Sequence, residues 1–97
     1  MIRHVVVISW LPGATQEQRQ RVSDELATLP PLMAGLRSYT FGPDEGMAPA
    51  NADFAIVADF EDADAYLAYR DHPAHVAVVT GAIAPVSAQR TAVQFEV

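Results

Sequence analysis

Two of the three histidines and two of the three tyrosines fall in one stretch, residues 66–75, reading Tyr-Leu-Ala-Tyr-Arg-Asp-His-Pro-Ala-His. Imidazole titrates near neutrality, so this stretch can carry proton transfer. Pro73 favours a helix start, because its missing N–H costs nothing in a first turn. His72 then caps that helix and faces solvent, and His75 sits on its first turn. There the positive end of the helix dipole favours the neutral, basic imidazole, which makes His75 the candidate general base. Asp71, Asp59 or a backbone carbonyl is expected to hold its tautomer. The alternative is a structural histidine that stiffens the corner.

His4 is the second candidate. It alternates with Ile2 and Val6 along an apolar run, so it points into an apolar layer and needs a partner there. It either binds a substrate carbonyl or is a core histidine bonded to a neighbouring strand or to Tyr69. Tyr69 is the third, a hydroxyl able to donate to a substrate oxygen or to a histidine. Tyr66, three residues earlier on the same helix side, is expected in the core. Trp10, Tyr39, Phe54 and Phe60 read as core or pocket lining. His72 and His75, with Asp71 adjacent, form no complete ligand set, so no metal site is expected. No glycine-rich phosphate loop or dinucleotide fingerprint occurs, and no cofactor is expected.

These residues need a scaffold. Residues 2–10 are rich in β-branched side chains and predict a strand. After the turn at Leu11-Pro12-Gly13, Thr15 and Gln18 form a capping box for a helix that buries Val22, Leu26 and Leu29. Pro30-Pro31 stops it. A short strand follows over 36–41, a loop over 42–52, and a third strand over 53–61. Asp62 caps a helix over 63–70. A second helical segment spans 73–84, Pro85 ends it, and a connector leads to a last strand over 91–97. The long loop is expected to be mobile and to border the pocket.

The order β-α-β-β-α-β predicts an α+β, ferredoxin-like fold with a four-stranded antiparallel sheet and helices on one face, as one domain over residues 1–97. The first and third strands are apolar on both faces, yet the helices can cover only one. The uncovered apolar face predicts a homodimer whose sheets pack face to face into a barrel. Ninety-seven residues, 51% of them hydrophobic, would make a marginal monomer. A net charge of −6 argues against nucleic acid or anionic membrane as partner. No apolar run reaches membrane-spanning length, no signal-peptide pattern opens the chain, and there is no cysteine; these features favour the cytoplasm.

Three segments carry a family likeness: Ile2-Arg3-His4-Val5-Val6, Asp53-Phe54-Ala55-Ile56-Val57-Ala58-Asp59-Phe60 and, most specifically, Tyr69-Arg70-Asp71-His72-Pro73-Ala74-His75. With them the chain resembles the stress-responsive dimeric α/β-barrel (Dabb) family over nearly its whole length. The resemblance implies the ferredoxin-like fold and a dimeric barrel. The family includes plant stress proteins and polyketide cyclases of the olivetolic acid cyclase type, which close a linear polyketide by a cofactor-free aldol condensation. It implies catalytic roles for His4, Tyr69 and His75. A further pocket tyrosine of those cyclases lies on the first helix, where this chain offers Leu26.

The expected function is therefore a cofactor-independent proton transfer on a small hydrophobic or aromatic polycarbonyl ligand, a cyclase-, lyase- or isomerase-like step. His75 would take an acidic C–H proton, and Tyr69 and His4 would stabilise the enolate oxygen. The rival reading is a non-catalytic stress-responsive assembly or ligand-binding protein. A third is a cofactor-free monooxygenase.

Overall fold

The β-branched run at the start of the chain forms the central strand β1 (Ile2–Trp10), hydrogen-bonded along both edges. The computed structural model describes residues Met1–Val97. After β1 come α1 (Gln16–Leu26), β2 (Leu36–Pro43), β3 (Phe54–Phe60), α2 (Ala63–Asp71), α3 (Pro73–Val78) and β4 (Ser87–Glu96), with a 3₁₀ turn at Pro30–Leu32. Sheet order is β2-β3-β1-β4 and every pairing is antiparallel. This is the expected ferredoxin-like α+β fold.

Local chemistry sets the helix starts. Thr15 Oγ1 accepts from Gln18 N–H at 3.1 Å, and Gln18 Oε1 accepts from Thr15 N–H at 2.9 Å, completing the capping box. Asp62 Oδ1 accepts from Ala65 N–H at 2.8 Å and starts α2. Gly35 lets α2 lie close to the chain entering β2. Its φ is +78°, and a Cβ there would stand 2.6 Å from the Cβ of Ala65. The core fills the space between the helices and one sheet face, with Ile8, Val22, Leu26, Leu29 and Phe60 essentially inaccessible. Each such side chain contributes roughly 1.5–3 kcal/mol relative to exposure.

Several boundaries differ from expectation. β4 begins at Ser87 rather than residue 91, because pairing with β1 continues through Gln89 and, past a bulge, to Ser87 opposite Trp10. Polar edge residues thus join a strand that propensity alone does not mark. The helical segment from Pro73 stays α-helical only to Val78, then widens into a π turn at Val79–Ile83 and tightens into a 3₁₀ turn at Ala84–Val86.

The loop after β2 is exposed over residues 43–51 and tied near its two ends. Asp44 N–H donates to the Asp53 carbonyl at 2.8 Å, and Asn51 Nδ2 donates to Asp44 Oδ1 at 3.0 Å. It lies beside Val7 and Ala55, and none of its residues lines the histidine cavity described below, contrary to the expectation that it borders the pocket. Register decides this, since Val7 and Ala55 belong to the sheet face that no helix covers.

On that face Thr40, Val57, Val5 and Val93 form one row across four strands, with Val7 and Phe95 in flanking rows. Val93 is 55% exposed and Phe95 46%. Arg3 and Asp59 meet there as a two-pronged pair at 2.7 and 2.8 Å, and these bonds from Arg3 hold the Asp59 carboxyl below its usual range.

Candidate active site

A cavity of about 350 Å³ lies between the helices and the helix-facing side of the sheet. His4, Val6, Ile8 and Ile56 form its floor, and α2 contributes Tyr66, Tyr69 and Arg70. His75, Val79 and Ile83 wall it from α3 and the π turn, while Arg90 and Ala92 of β4 stand at its edge. Leu26, the position that resemblance compares with a tyrosine, is an apolar wall. The cavity therefore brings His4, Tyr69 and His75 together. Tyr66 joins them instead of being only core, its ring 4.9 Å from that of His4 and 5.8 Å from Phe60. Trp10 and Phe54 pack on each other at 5.4 Å and do not line it.

The two histidines carry their protons on opposite nitrogens. His75 Nδ1 lies 3.1 Å from the Arg70 carbonyl, which can only accept. Nδ1 therefore carries the proton and Nε2 keeps its lone pair. Of the partners expected from sequence, the carbonyl is the one used, because Arg3 occupies Asp59 and Arg70 occupies Asp71. His4 Nδ1 lies 2.8 Å from Gln94 Nε2, so the amide donates to it and the His4 proton sits on Nε2. One imidazole can accept a proton where the other can donate a hydrogen bond.

Both rings are held neutral. Burial lowers the pKa of His75, opposed by its bond to the Arg70 carbonyl and aided by the charge of His72. Burial foremost, then the repulsion a protonated His75 would exert, lowers His4 to about 4. Desolvation thus lowers the pKa of His75, the same direction as was expected of the helix dipole. The Tyr69 ring packs on His75 at 4.1 Å between centroids, and the Tyr69 hydroxyl is 2.8 Å from that of Tyr39. Burial, then Tyr39, pushes the Tyr69 hydroxyl far above the usual phenol range, so it stays protonated as a donor. His72 is a half-buried cap whose Nδ1 accepts from Ala74 N–H at 3.0 Å.

Gln94, the partner of His4, carried no signal of its own in the sequence, and Tyr39, expected as core or pocket lining, turns out to be the partner of Tyr69. The available signal was alternation. Gln94 falls opposite His4 once β4 is registered on β1, and Tyr39 shares the helix-facing side of β2 with Phe41.

The His4 shift predicts acid sensitivity. A free histidine titrates near 6.5 and folded His4 near 4, so the unfolded chain binds the extra proton between these values. The stabilisation is complete above about pH 6.5 and is lost as pH falls through 4. Its upper limit is roughly 3–4 kcal/mol, at 1.36 kcal/mol per pKa unit. Urea melts of wild type and His4→Asn between pH 7 and 4 should show the wild type losing markedly more stability. Parallel losses would refute the assignment.

The model of the stress responsive A/B barrel domain family matches residues 2–97. No curated protein matches the chain. A crystal structure of a dimeric ferredoxin-like protein of unknown function from Thermobifida fusca is 43% identical, with TM-score 0.93, covering 99% of this chain and 90% of that one. A Dabb family protein from Mesorhizobium loti superposes with TM-score 0.81 at 22% identity over 99% of this chain and 95% of its own. The hydroxynitrile lyase of Passiflora edulis shares the fold, with TM-score 0.86 at 14% identity over 99% and 92% of the two chains. With the β-α-β-β-α-β order and the matched span in agreement, the chain belongs to the stress responsive A/B barrel (Dabb) domain family.

Proposed function

We propose that this protein is a cytoplasmic homodimer in which each subunit catalyses a cofactor-independent proton transfer on a polycarbonyl or aromatic ligand, of the aldol-cyclisation or lyase type. The observation that carries the proposal is the pair of oppositely protonated, neutral histidines lining one apolar cavity. His75 Nε2 takes a proton from a carbon between two carbonyls. The enolate oxygen is held by the Nε2–H of His4 and the hydroxyl of Tyr69. The carbanion adds to a third carbonyl farther along the ligand, and the resulting alkoxide recovers the proton from His75. No electron is gained or lost. Cyanohydrin cleavage, the reaction that the name hydroxynitrile lyase denotes, likewise turns on one proton moved at a carbonyl-derived oxygen; the shared fold adds only analogy. The dimer is supported by the uncovered apolar sheet face and by the dimeric state named for the Thermobifida fusca relative.

The test is a screen of aromatic 1,3-diketones and linear triketones for binding, then turnover in chelator-treated buffer without added cofactor. Product formation without oxygen uptake is expected. Oxygen consumption coupled to turnover would replace this reading with the monooxygenase one.

A specific observation favours the non-catalytic rival as second reading: no buried side-chain nitrogen or oxygen lacks a partner. In that reading His4–Gln94 and Tyr39–Tyr69 are a completed structural network around a ligand that is held unchanged. Binding without turnover across the screen would select it.

A further inference from the structure

The charges around the cavity are as selective as its histidines. Twelve acidic residues occur in the chain, yet none lines the cavity, whereas two of its six arginines do. Arg70 is balanced by Asp71 through bonds of 2.9 and 3.1 Å. Arg3, Arg21 and Arg37 pair with Asp59, Glu25 and Glu61, and Arg19 donates to the Thr15 carbonyl. Of the two cavity arginines, Arg90 is the one in no ion pair, and it stands at the cavity edge on an exposed strand. A guanidinium left unpaired in a chain of net charge −6, beside an apolar cavity with no carboxylate, is a receptor for an anion.

Register fixes where that anion lies. Arg90 is opposite Ile8 and Gln94 is opposite His4, so Arg90 is four residues along the sheet from the histidine end. At about 3.3 Å per residue this is roughly 13 Å between backbones. The side chains of Val6 and Ala92 fill the interval.

We propose that the cavity takes anionic ligands with an apolar body, their carboxylate or equivalent acid group held by Arg90 and their far end at His4 and His75. The inference rests on the cavity being the ligand site, as proposed above, and narrows its substrates to β-polycarbonyl or aromatic acids rather than neutral ketones. Arg90 is then a specificity residue, remote from the proton transfer.

A matched pair of fluorescent probes tests it: 1-anilinonaphthalene-8-sulfonate and the uncharged N-phenyl-1-naphthylamine, which share a body and differ by the anion. Wild type should bind the sulfonate about fivefold more tightly at low salt, the upper range for an ion pair with an accessible arginine. The preference should shrink at 0.5 M NaCl, where exposed charges are screened. Arg90→Gln should bring the two affinities within about twofold and leave the neutral probe unchanged. Equal affinities in wild type, or a preference that survives Arg90→Gln, would overturn the anion assignment while leaving the cavity a binding site. Ala92→Trp, which puts an indole at the cavity edge, separates the two levels. If it weakens neither probe, or if neither probe binds wild type, the cavity is not the site and both proposals fall.

Discussion

His75→Ala should lower turnover by about 10²–10⁴-fold, the usual contribution of a positioned general base. Its stability should change little. The ring is half-buried, and its one hydrogen bond, to the Arg70 carbonyl, contributes about 1 kcal/mol. For a domain of this size that corresponds to a fall in Tm of roughly 4–8 °C. The pH profile gives a second readout. A base must be neutral, and burial lowers the pKa of His75. Activity should therefore rise with pH along an acid limb lying below the ordinary histidine value and be flat through neutrality. Tyr69→Phe keeps the ring packed on His75 and removes only the hydroxyl, so it should lower the plateau without moving the limb. Undiminished turnover in both His75→Ala and Tyr69→Phe would end the reading of this cavity as the catalytic site. Collapse of the His75→Ala fold, with His75→Gln equally unstable, would make the residue a corner stiffener.

Val57→Asp should convert a dimer of about twice the 10.5 kDa chain mass into monomer at micromolar concentration. Val57 sits between Val5 and Thr40 on the sheet face that no helix covers. A carboxylate buried there against a second sheet, without a cation, costs several kcal/mol. The monomer should also melt early, since a chain this small buries a limited share of its surface alone. Light scattering and thermal melting measure both effects. A Val57→Asp protein that remains dimeric would place the interface elsewhere on the molecule.

The candidate site was legible in sequence to the extent that residue type and local spacing define it. His75 stands out because Pro73 marks a helix start two residues before it, and His4 because a polar ring interrupts an apolar alternation. What surrounds them was not legible. Gln94 and Arg90 lie in polar stretches with no signal of their own, and they acquire meaning only from pairing across about ninety residues of chain. Tyr39 reads as one more aromatic on a strand until its hydroxyl meets that of Tyr69. The loop after β2 read as a pocket border because its composition is that of a loop, yet none of its residues lines the histidine cavity, and part of it lies beside Val7 and Ala55 on the uncovered face.

The element order, the helix caps at Thr15 and Asp62, and the two-sided apolar character of β1 and β3 follow from local sequence. All of these depend on interactions within a few residues or on a period of two. Which nitrogen of each histidine bears the proton, that burial lowers the pKa of both rings, and that one cavity arginine is left unpaired beside them are properties of the folded chain alone. Those properties depend on desolvation and on partners distant in the chain. Both arise when the sheet closes against the helices, and neither leaves a periodic trace in the order of the residues.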